Sequence, residues 1–257
     1  MEKIELKHCM DLDANDPLRE LRSEFLLAET GSIHFDANSM GAMPKTVPEK
    51  VAWMLNEGWR NLGRQGWSKL DWIDQPKKLG SGIAHLLGAQ PEDVVVCDNT
   101  SINLHKLISY AWGIKNSGNT LLTESNHFPT DVYIAEGWIK SLKNYGVDAE
   151  IRFADSHEEL LNCLDENVAV VNVSYVDYRT SLRWDMGRLM QKAQEVGALV
   201  VWDLSHAAGA VEIDLMGNDA DFAVGCGYKY LCGGPGAPAY LFIHPKHQNK
   251  QWPSIPG

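Results

Sequence analysis

Short runs of apolar, often β-branched residues recur along this chain and alternate with segments of helical periodicity. Between two of these runs, Leu104, Leu107, Ile108 and Ala111 recur at the i, i+3, i+4 and i+7 spacing of one helical face. Several runs are apolar without alternation, which is typical of strands that are covered by helices on both faces. The pattern therefore predicts a layered α/β domain with a largely parallel sheet. The predicted strands are "DVVVCD", "NTLLTE", "AVVNVSY", "ALVVWD", "DFAVGC" and "AYLFI".

The sequence upstream of this alternation predicts two helices. The first covers residues 16–28, "DPLRELRSEFLLA", and the second begins at about Val47 in "VAWMLNEGW". A turn-rich stretch, "HFDANSMGAMPK", separates them. The total of 257 residues is enough for one large domain, or for one and a half.

Composition and charge argue against several classes of function. The formal net charge of −11 repels a phosphate backbone, so we expect no nucleic-acid partner. The charged first residues contain no apolar stretch of the signal-peptide kind, and no segment approaches the roughly 20 apolar residues that span a bilayer. The five cysteines lack paired CxxC spacing, which argues against a disulfide framework and against a zinc site. We therefore expect a soluble, cytoplasmic protein without a membrane partner.

Polar side chains and one aromatic ring follow the predicted strands, at the edge where ligands bind in parallel sheets. Thr100 and Ser101 open a helix, where free N–H groups and hydroxyls suit a phosphate, although the same residue types also act as simple helix caps. Phe128 precedes a proline and suits either stacking on a flat ring or a hydrophobic staple for the next helix. Ser174 adds a hydroxyl after the following strand.

Two pairs of acidic and histidine residues lie near these strand ends. Asp203 ends the strand "ALVVWD" and must be hydrogen-bonded or paired if it is buried. His206 follows three residues later, and this spacing could also indicate two metal ligands. His127 and Asp131 form the other candidate pair, but neither pair completes a recognisable metal motif. We therefore predict no metal site.

A lone lysine lies where the strand "DFAVGC" runs into the glycine-rich segment "GYKYLCGGPG". On position alone Lys229 would be a solvated loop residue. It follows Asp203 by 229 − 203 = 26 residues, with one strand between them. A lysine for a Schiff base, an aspartate for a pyridinium nitrogen and a phosphate cradle are what pyridoxal 5'-phosphate requires of a protein. The strand ends together therefore predict a pyridoxal phosphate site in which Lys229 supplies the amine.

The motifs that carry these residues resemble the kynureninase family of fold-type I pyridoxal phosphate enzymes. The resemblance rests on "FDANSMGAMPK", "NTSINLHKL", "FPTD", "VWDLSHAAGAVEIDL" and "GYKYLCGGPGAPAYLFIHPKH", and it extends from about His34 to His247. It implies a three-layer fold-type I transferase-like domain with a mostly parallel sheet. Residues 51–257 would form this cofactor-binding large domain, and residues 1–50 would contribute to the small domain. The resemblance also implies a homodimer.

The same resemblance implies roles for individual residues. Lys229, Tyr228 and Asp203 would be catalytic: Lys229 would bind the cofactor, Asp203 would pair with the pyridine nitrogen, and Tyr228 would assist proton transfer. Trp67, in "RQGWSKLDW", would lie near the aromatic ring of the substrate, or else would be a core or subunit-interface tryptophan. The cofactor-binding residues would be Thr100, Ser101, Phe128, Thr130, Asp131, Ser174, Asp203, His206, Tyr228 and Lys229.

The implied reaction is the hydrolysis of L-kynurenine to anthranilate and L-alanine, and 3-hydroxykynurenine stays open as a second substrate. A cysteine desulfurase or another fold-type I enzyme is an alternative, although desulfurases typically place a histidine where this chain has Tyr228. A non-catalytic relative is a third reading. The family's chains continue further, and no arginine follows Arg188. We therefore expect the C-terminal small domain and its carboxylate-binding arginine to be absent, and the activity to be low.

Overall fold

A seven-stranded mixed sheet forms the centre of the protein. The computed structural model describes residues 5–29, 31, 33–115, 117–251 and 254–255. The strands, in chain order, are β1 (Phe25–Leu26), β2 (Met43–Pro44), β3 (Val94–Cys97), β4 (Thr120–Glu124), β5 (Glu150–Ala154), β6 (Val168–Ser174), β7 (Leu199–Asp203), β8 (Phe222–Gly225) and β9 (Ala239–Ile243). The order in the large sheet is β3-β9-β8-β7-β6-β4-β5, while β1 and β2 pair separately.

Six of the seven strands of the large sheet run in the same direction. The strand β9 is antiparallel to both of its neighbours, β3 and β8. All the other neighbouring pairs are parallel. The carboxyl ends of the six parallel strands therefore share one edge of the sheet.

Helices cover both faces of this sheet. The α-helices, in chain order, are α1 (Leu6–Asn15), α2 (Val47–Trp53), α3 (Gly66–Lys69), α4 (Gln75–Leu86), α5 (Thr100–Ile114), α6 (Pro129–Asn144), α7 (His157–Asn162) and α8 (Met186–Val196). The core on one face joins the sheet to α5 and α6 and includes Val201; the core on the other face joins it to α4, α7 and α8 and includes Trp202. The predicted three-layer α/β fold with a mostly parallel sheet is confirmed.

Local patterns identified most of the central elements. The predicted face of α5, which consists of Leu104, Leu107, Ile108 and Ala111, is buried against the sheet. The edge strand β5 was not predicted, because its sequence, "EIRFA", mixes charged and apolar residues. An edge strand has one unpaired side and tolerates charged side chains, so its apolar signal is weak.

The helix predicted over residues 16–28 is wrong. The helix α1 ends one residue before Asp16, and the predicted stretch forms a 3₁₀-helix over Arg19–Glu24 followed by β1. Pro17 disfavours the helical conformation at the residue before it. Neither α1 nor the 3₁₀-helix buries a residue, so no tertiary packing favours a longer helix. The second predicted helix is confirmed as α2, which continues with wider π-helical turns over Met54–Leu62.

A mostly enclosed carboxyl group ends β4. Glu124 has a side-chain exposure of 15%, and its Oε1 atom lies 3.3 Å from Nε2 of His157, at the start of α7. The His157 ring stacks on Trp184, which precedes α8, with 3.7 Å between the ring centroids. Burial raises the pKa of Glu124 to about 7. This carboxyl group therefore exchanges its proton near neutral pH.

We expect the inner face of α5 to contribute strongly to stability. Ile108 is fully buried, whereas Ile102 on the same helix is 36% exposed. Ile108→Ala should lower the free energy of unfolding by about 2–5 kcal/mol, because it leaves a cavity against the sheet. Ile102→Ala is the matched control and should cost less than about 1 kcal/mol. Equal losses in urea-unfolding experiments would contradict this account of α5.

We expect Glu124 to make the free energy of unfolding fall as the pH rises from about 4.3, the pKa of an unfolded glutamate, towards 7. Between these values the folded state binds more protons than the unfolded state, so stability decreases with pH. Glu124→Gln should therefore be more favourable relative to the wild type at pH 8 than at pH 5. The measurement is the urea midpoint at both pH values, with Glu136→Gln, on the exposed face of α6, as the control. A wild-type-to-variant difference that does not change with pH would refute this prediction.

Candidate active site

A cavity opens at the edge of the sheet where the six parallel strands end. The segments after β3, β7 and β8 and the first turns of α5 and α6 line it. The lining residues are Asn99, Thr100, Ser101, Phe128, Thr130, Asp131, Asp203, Ser205, Cys226, Tyr228, Lys229, Ala237 and Ala239. All the predicted cofactor-binding residues are in this lining except Ser174 and His206. Each of these two contacts a lining residue, Asp203 and Lys229 respectively.

Lys229 is buried at the cavity and is not the solvated loop residue that its position alone suggests. Only 7% of the residue is exposed. Its Nζ atom lies 2.7 Å from Nε2 of His206 and 5.5 Å from the centroid of the Phe128 ring. Burial, and then the charge of Lys229, lower the pKa of His206. A neutral His206 can therefore accept a hydrogen bond from the lysine and hold its amine in the cavity.

Two buried carboxyl groups face the same cavity. Asp203, at the end of β7, accepts a hydrogen bond from the backbone N–H of Ser205 at 2.9 Å, and its Oδ2 atom lies 3.5 Å from the Ser174 hydroxyl. Asp131 lies in the first turn of α6. Burial holds the pKa of Asp131 well above its usual value, and the neighbouring Asp203 raises it further, while Lys229 lowers it. Asp131 therefore lies close enough to Asp203 for their charges to interact, and Lys229 is the neighbouring cation.

His127 lies behind this carboxyl pair. Its Nδ1 atom accepts the backbone N–H of Phe128 at 2.8 Å, and its Nε2 atom lies 3.6 Å from Oδ2 of Asp131. Burial lowers the pKa of His127 to about 4, so the ring is neutral. The two histidines of the candidate metal pairs thus have different neighbours: His127 faces Asp131, whereas His206 contacts Lys229. Among the described residues, no group of three His, Cys, Asp or Glu side chains is arranged to hold a metal ion.

The start of α5 combines a cap with open donors. The Asn99 side chain accepts the backbone N–H of Ile102 at 3.0 Å and so caps the helix. Thr100 and Ser101 line the cavity, and their hydroxyl groups make no hydrogen bond within the part of the chain that the structure describes. The capping alternative therefore applies to Asn99, while the two hydroxyls are available to a ligand. The first N–H groups of a helix favour an anion at this position.

An aromatic wall flanks the lysine. The Phe128 ring packs edge-on against Tyr178, with 5.2 Å between the centroids and an angle of 78° between the planes. Tyr178 lies in the loop between β6 and α8 and is also 6.2 Å from the His206 ring. The Phe128 ring thus borders the cavity beside Lys229. This position favours stacking on a flat ligand over the alternative role of a hydrophobic staple.

Besides the helix cap Asn99 and the small residues Ala237 and Ala239, sequence reasoning missed three residues around the cavity. Ser205 and Cys226 line it, and Tyr178 supports Phe128. Ser205 could have been found as a further hydroxyl just after a strand. Cys226 and Tyr178 carry no such local signal, because an apolar strand end and a loop tyrosine are common anywhere in a protein.

Trp67 is not among the residues that line the cavity. It lies in α3, is 56% exposed, and packs edge-on against Trp72 with 6.1 Å between the ring centroids. It is therefore a surface residue of this chain and not a core tryptophan.

The cavity brings together an amine, two carboxyl groups and an open helix start. Such a set suits a ligand with an anionic group at one end and a protonated ring nitrogen elsewhere. The anion would lie at Thr100 and Ser101, and the ring nitrogen would face Asp131 and Asp203.

Comparison with known proteins gives the family. The family model described as aminotransferase class-V matches residues 33–256. The kynureninase of Pseudomonas fluorescens is 41% identical over 242 residues, which cover 93% of this chain and 57% of that relative. The chain thus spans little more than half the length of this relative.

Solved structures agree in fold. A cysteine desulfurase from Escherichia coli superposes with a TM-score of 0.72 at 16% identity, covering 89% of this chain and 58% of the desulfurase. A mutant of the enzyme C-DES, with glycine covalently linked to its pyridoxal phosphate cofactor, superposes with a TM-score of 0.69 at 18% identity. This second match covers 84% of this chain and 58% of the C-DES chain. With its sheet order, its strand-end cavity and a family model that covers most of its length, the chain belongs to the aminotransferase class-V family.

Proposed function

We propose that this chain is the cofactor-binding part of a pyridoxal phosphate-dependent hydrolase that cleaves L-kynurenine to anthranilate and L-alanine in tryptophan catabolism. The observation that carries the proposal is the meeting of Lys229, the Asp131–Asp203 pair and the open start of α5 in one cavity. The similarity to a kynureninase supports the substrate. The likeness to a desulfurase concerns the fold alone. In addition, Tyr228 precedes the lysine at the position where desulfurases typically have a histidine.

The cavity fits pyridoxal phosphate by the chemistry of its donors and acceptors. Thr100 and Ser101 offer free hydroxyls at the positive end of a helix of 15 residues, which suits the phosphate group. Asp131 and Asp203 both line the cavity with buried carboxyl groups, which suits a protonated ring nitrogen. Buried carboxyl groups are costly in a folded protein, and a cationic ligand that pairs with them offsets that cost.

Different residues of the cavity have different chemical roles. Pyridoxal phosphate, when bound, supplies an aldehyde carbon that takes up an amine and a ring that accepts electron density. Lys229 presents its Nζ atom as that amine, held by the neutral His206. Asp203 supplies the negative charge that keeps the ring nitrogen protonated. Burial raises the pKa of Tyr228, so its phenol keeps its proton at neutral pH and can donate it beside Lys229.

The substrate carboxylate requires a cation that this cavity does not offer. Among the described residues of the lining, Lys229 is the one cationic side chain, and it is committed to the cofactor. An arginine binds a carboxylate through two parallel hydrogen bonds, and such orientation contributes strongly to rate. We therefore propose that this cation comes from outside the described lining, and that the lining by itself supports only slow hydrolysis of kynurenine.

We further propose a cytoplasmic homodimer without a nucleic-acid partner. Many large apolar side chains of the N-terminal region are exposed, and apolar patches of this kind mark interaction surfaces. Those that are at least 70% exposed include Leu6, Ile33, Phe35, Trp59 and Ile73. Trp67 belongs to the same region, and in a dimer it could approach the substrate ring from the subunit surface. No described helix is long and apolar enough to cross a membrane.

The division into domains is also a proposal. Residues 1–50 contribute to a small domain, and residues 51–257 form the cofactor-binding domain. One observation supports this division: β1 and β2 form a sheet of their own. The backbone N–H of Gly41 donates a hydrogen bond to the carbonyl oxygen of Tyr228 at 2.9 Å. The N-terminal segment thus contacts the lysine loop without joining the large sheet.

We expect borohydride reduction of the protein with bound pyridoxal phosphate to label Lys229. Peptide mapping after reduction is the measurement, because reduction makes the lysine–cofactor bond permanent. Lys229→Ala should lose the label entirely. Lys246→Ala is the control: Lys246 pairs with Asp219 at the opposite edge of the sheet, and this variant should keep the label. A label on any other lysine would defeat the assignment.

We expect L-kynurenine, and not L-cysteine, to change the visible absorbance of the reconstituted protein. The measurement is a titration with each amino acid, followed by an assay for anthranilate fluorescence. Slow but detectable anthranilate release would support the proposed hydrolase. A response to cysteine with sulfur release, and none to kynurenine, would favour the desulfurase alternative instead.

A further inference from the structure

His127 is a buried histidine to which the proposed function assigns no task. It is 4% exposed, lies just before α6, and contacts three polar groups: the Phe128 backbone N–H, the Ser174 hydroxyl and the Asp131 carboxyl. The Ser174 hydroxyl in turn lies 3.5 Å from Oδ2 of Asp203. The imidazole therefore adjoins both members of the carboxyl pair, Asp131 directly and Asp203 through one hydroxyl.

The hydrogen bonds of His127 determine which ring nitrogen carries the proton. The Nδ1 atom accepts the Phe128 N–H at 2.8 Å, so it must present a lone pair. A neutral imidazole carries its single proton on the other nitrogen. That nitrogen, Nε2, lies 3.6 Å from Oδ2 of Asp131, just beyond hydrogen-bond distance, and neither atom makes a hydrogen bond among the described residues. The His127 ring thus points an N–H group at the unpaired oxygen of Asp131.

The two carboxyl groups differ in how the protein holds them. Asp203 receives the backbone N–H of Ser205 and lies next to the Ser174 hydroxyl. Asp131 has the Nε2–H of His127 as the one donor that faces its Oδ2 atom within the described part of the chain. Removing that donor would leave a buried carboxylate without support, and a buried carboxylate without a donor takes up a proton.

We propose that His127 is a positioning residue that, through its Nε2–H, aims the Asp131 carboxyl group at the cavity and maintains the negative charge of the Asp131–Asp203 pair. This inference rests on the proposed function, because the pair acts on the ring nitrogen of pyridoxal phosphate. The tighter the pair holds its charge, the more strongly it favours the protonated ring.

Other charged groups face the same two residues. Burial opposes protonation of His127, whereas Asp203, the buried Asn172 side chain and Asp177 favour it less strongly. Lys229 favours the ionised form of Asp131, and Asp203 disfavours it. These neighbours are unchanged in variants of His127, so a change in the pH dependence of cofactor binding would report on the Nε2–H contact itself.

The test measures the dissociation constant of pyridoxal phosphate between pH 5 and pH 9 for the 257-residue chain and three variants. Glutamine can place an amide N–H near the position of Nε2, and asparagine can place its oxygen near the position of Nδ1. Leucine offers neither. The cofactor's own titrations affect the dissociation constants of all proteins equally, so they cancel when each variant is compared with the wild type. His105→Leu is the control, since this half-buried histidine packs on Trp138 in the outer helices.

We expect His127→Leu and His127→Asn to bind the cofactor about 2–10-fold more weakly at pH 7, because the 3.6 Å contact between Nε2 and Oδ2 is weaker than a direct hydrogen bond to a charged group. Loss of binding on acidification should begin at a higher pH in both variants, because the carboxyl pair takes up a proton more readily. His127→Gln should restore the wild-type pH profile, and His105→Leu should not alter it.

Three outcomes would overturn the inference. If His127→Asn behaves like the wild type and His127→Gln does not, the contact that matters is the Phe128 N–H. If all three variants follow the wild-type pH profile, His127 has no positioning role, while the proposed function stands. If the folded wild-type chain binds no pyridoxal phosphate, both the inference and the proposed function fail.

Discussion

The common direction of six strands in the large sheet is the constraint on which the site depends. Residues from Thr100 to Lys229 are far apart in the chain, yet each follows or ends a strand at the same edge. Parallel strands need crossover connections, and the helices that make them bury both faces of the sheet. The same burial that stabilises the sheet therefore brings the amine, the two acids and the anion-binding helix start together.

The price of this arrangement is a set of ionisable groups held away from water. Lys229, Asp131, Asp203 and His127 are all less than a tenth exposed. Such groups are retained only when they are paired, hydrogen-bonded or kept neutral. Here His127 is neutral, Asp203 has backbone support, and Asp131 keeps an unpaired oxygen. The two carboxyl groups at this cavity therefore suit a cationic partner, such as a protonated ring nitrogen.

The N-terminal region, unlike the sheet, has almost no buried residues among those that the structure describes. From residue 5 to residue 79, the described residues that are buried are Gly58 and Gly66, and many large apolar side chains face outwards. Helices without a buried face gain little stability from tertiary packing. The contact between Gly41 and the carbonyl oxygen of Tyr228 nevertheless ties this region to the loop that carries Lys229. If another subunit packs on this exposed surface, it would therefore also affect the loop that carries Lys229.

Local sequence determined the strands of the sheet interior, the buried face of α5 and the residue types at the strand ends, because uninterrupted apolar runs and helical periodicity record burial directly. It also pointed to Lys229 and Asp203 as chemical partners. It failed for the helix expected over residues 16–28, where a proline and a lack of packing end α1, and for the charged edge strand β5. Only the tertiary structure decided that His206 faces Lys229, that His127 faces Asp131, and that Trp67 lies apart from the cavity. Those contacts join residues on different elements, and their geometry depends on how the helices pack against the sheet, which no local pattern encodes.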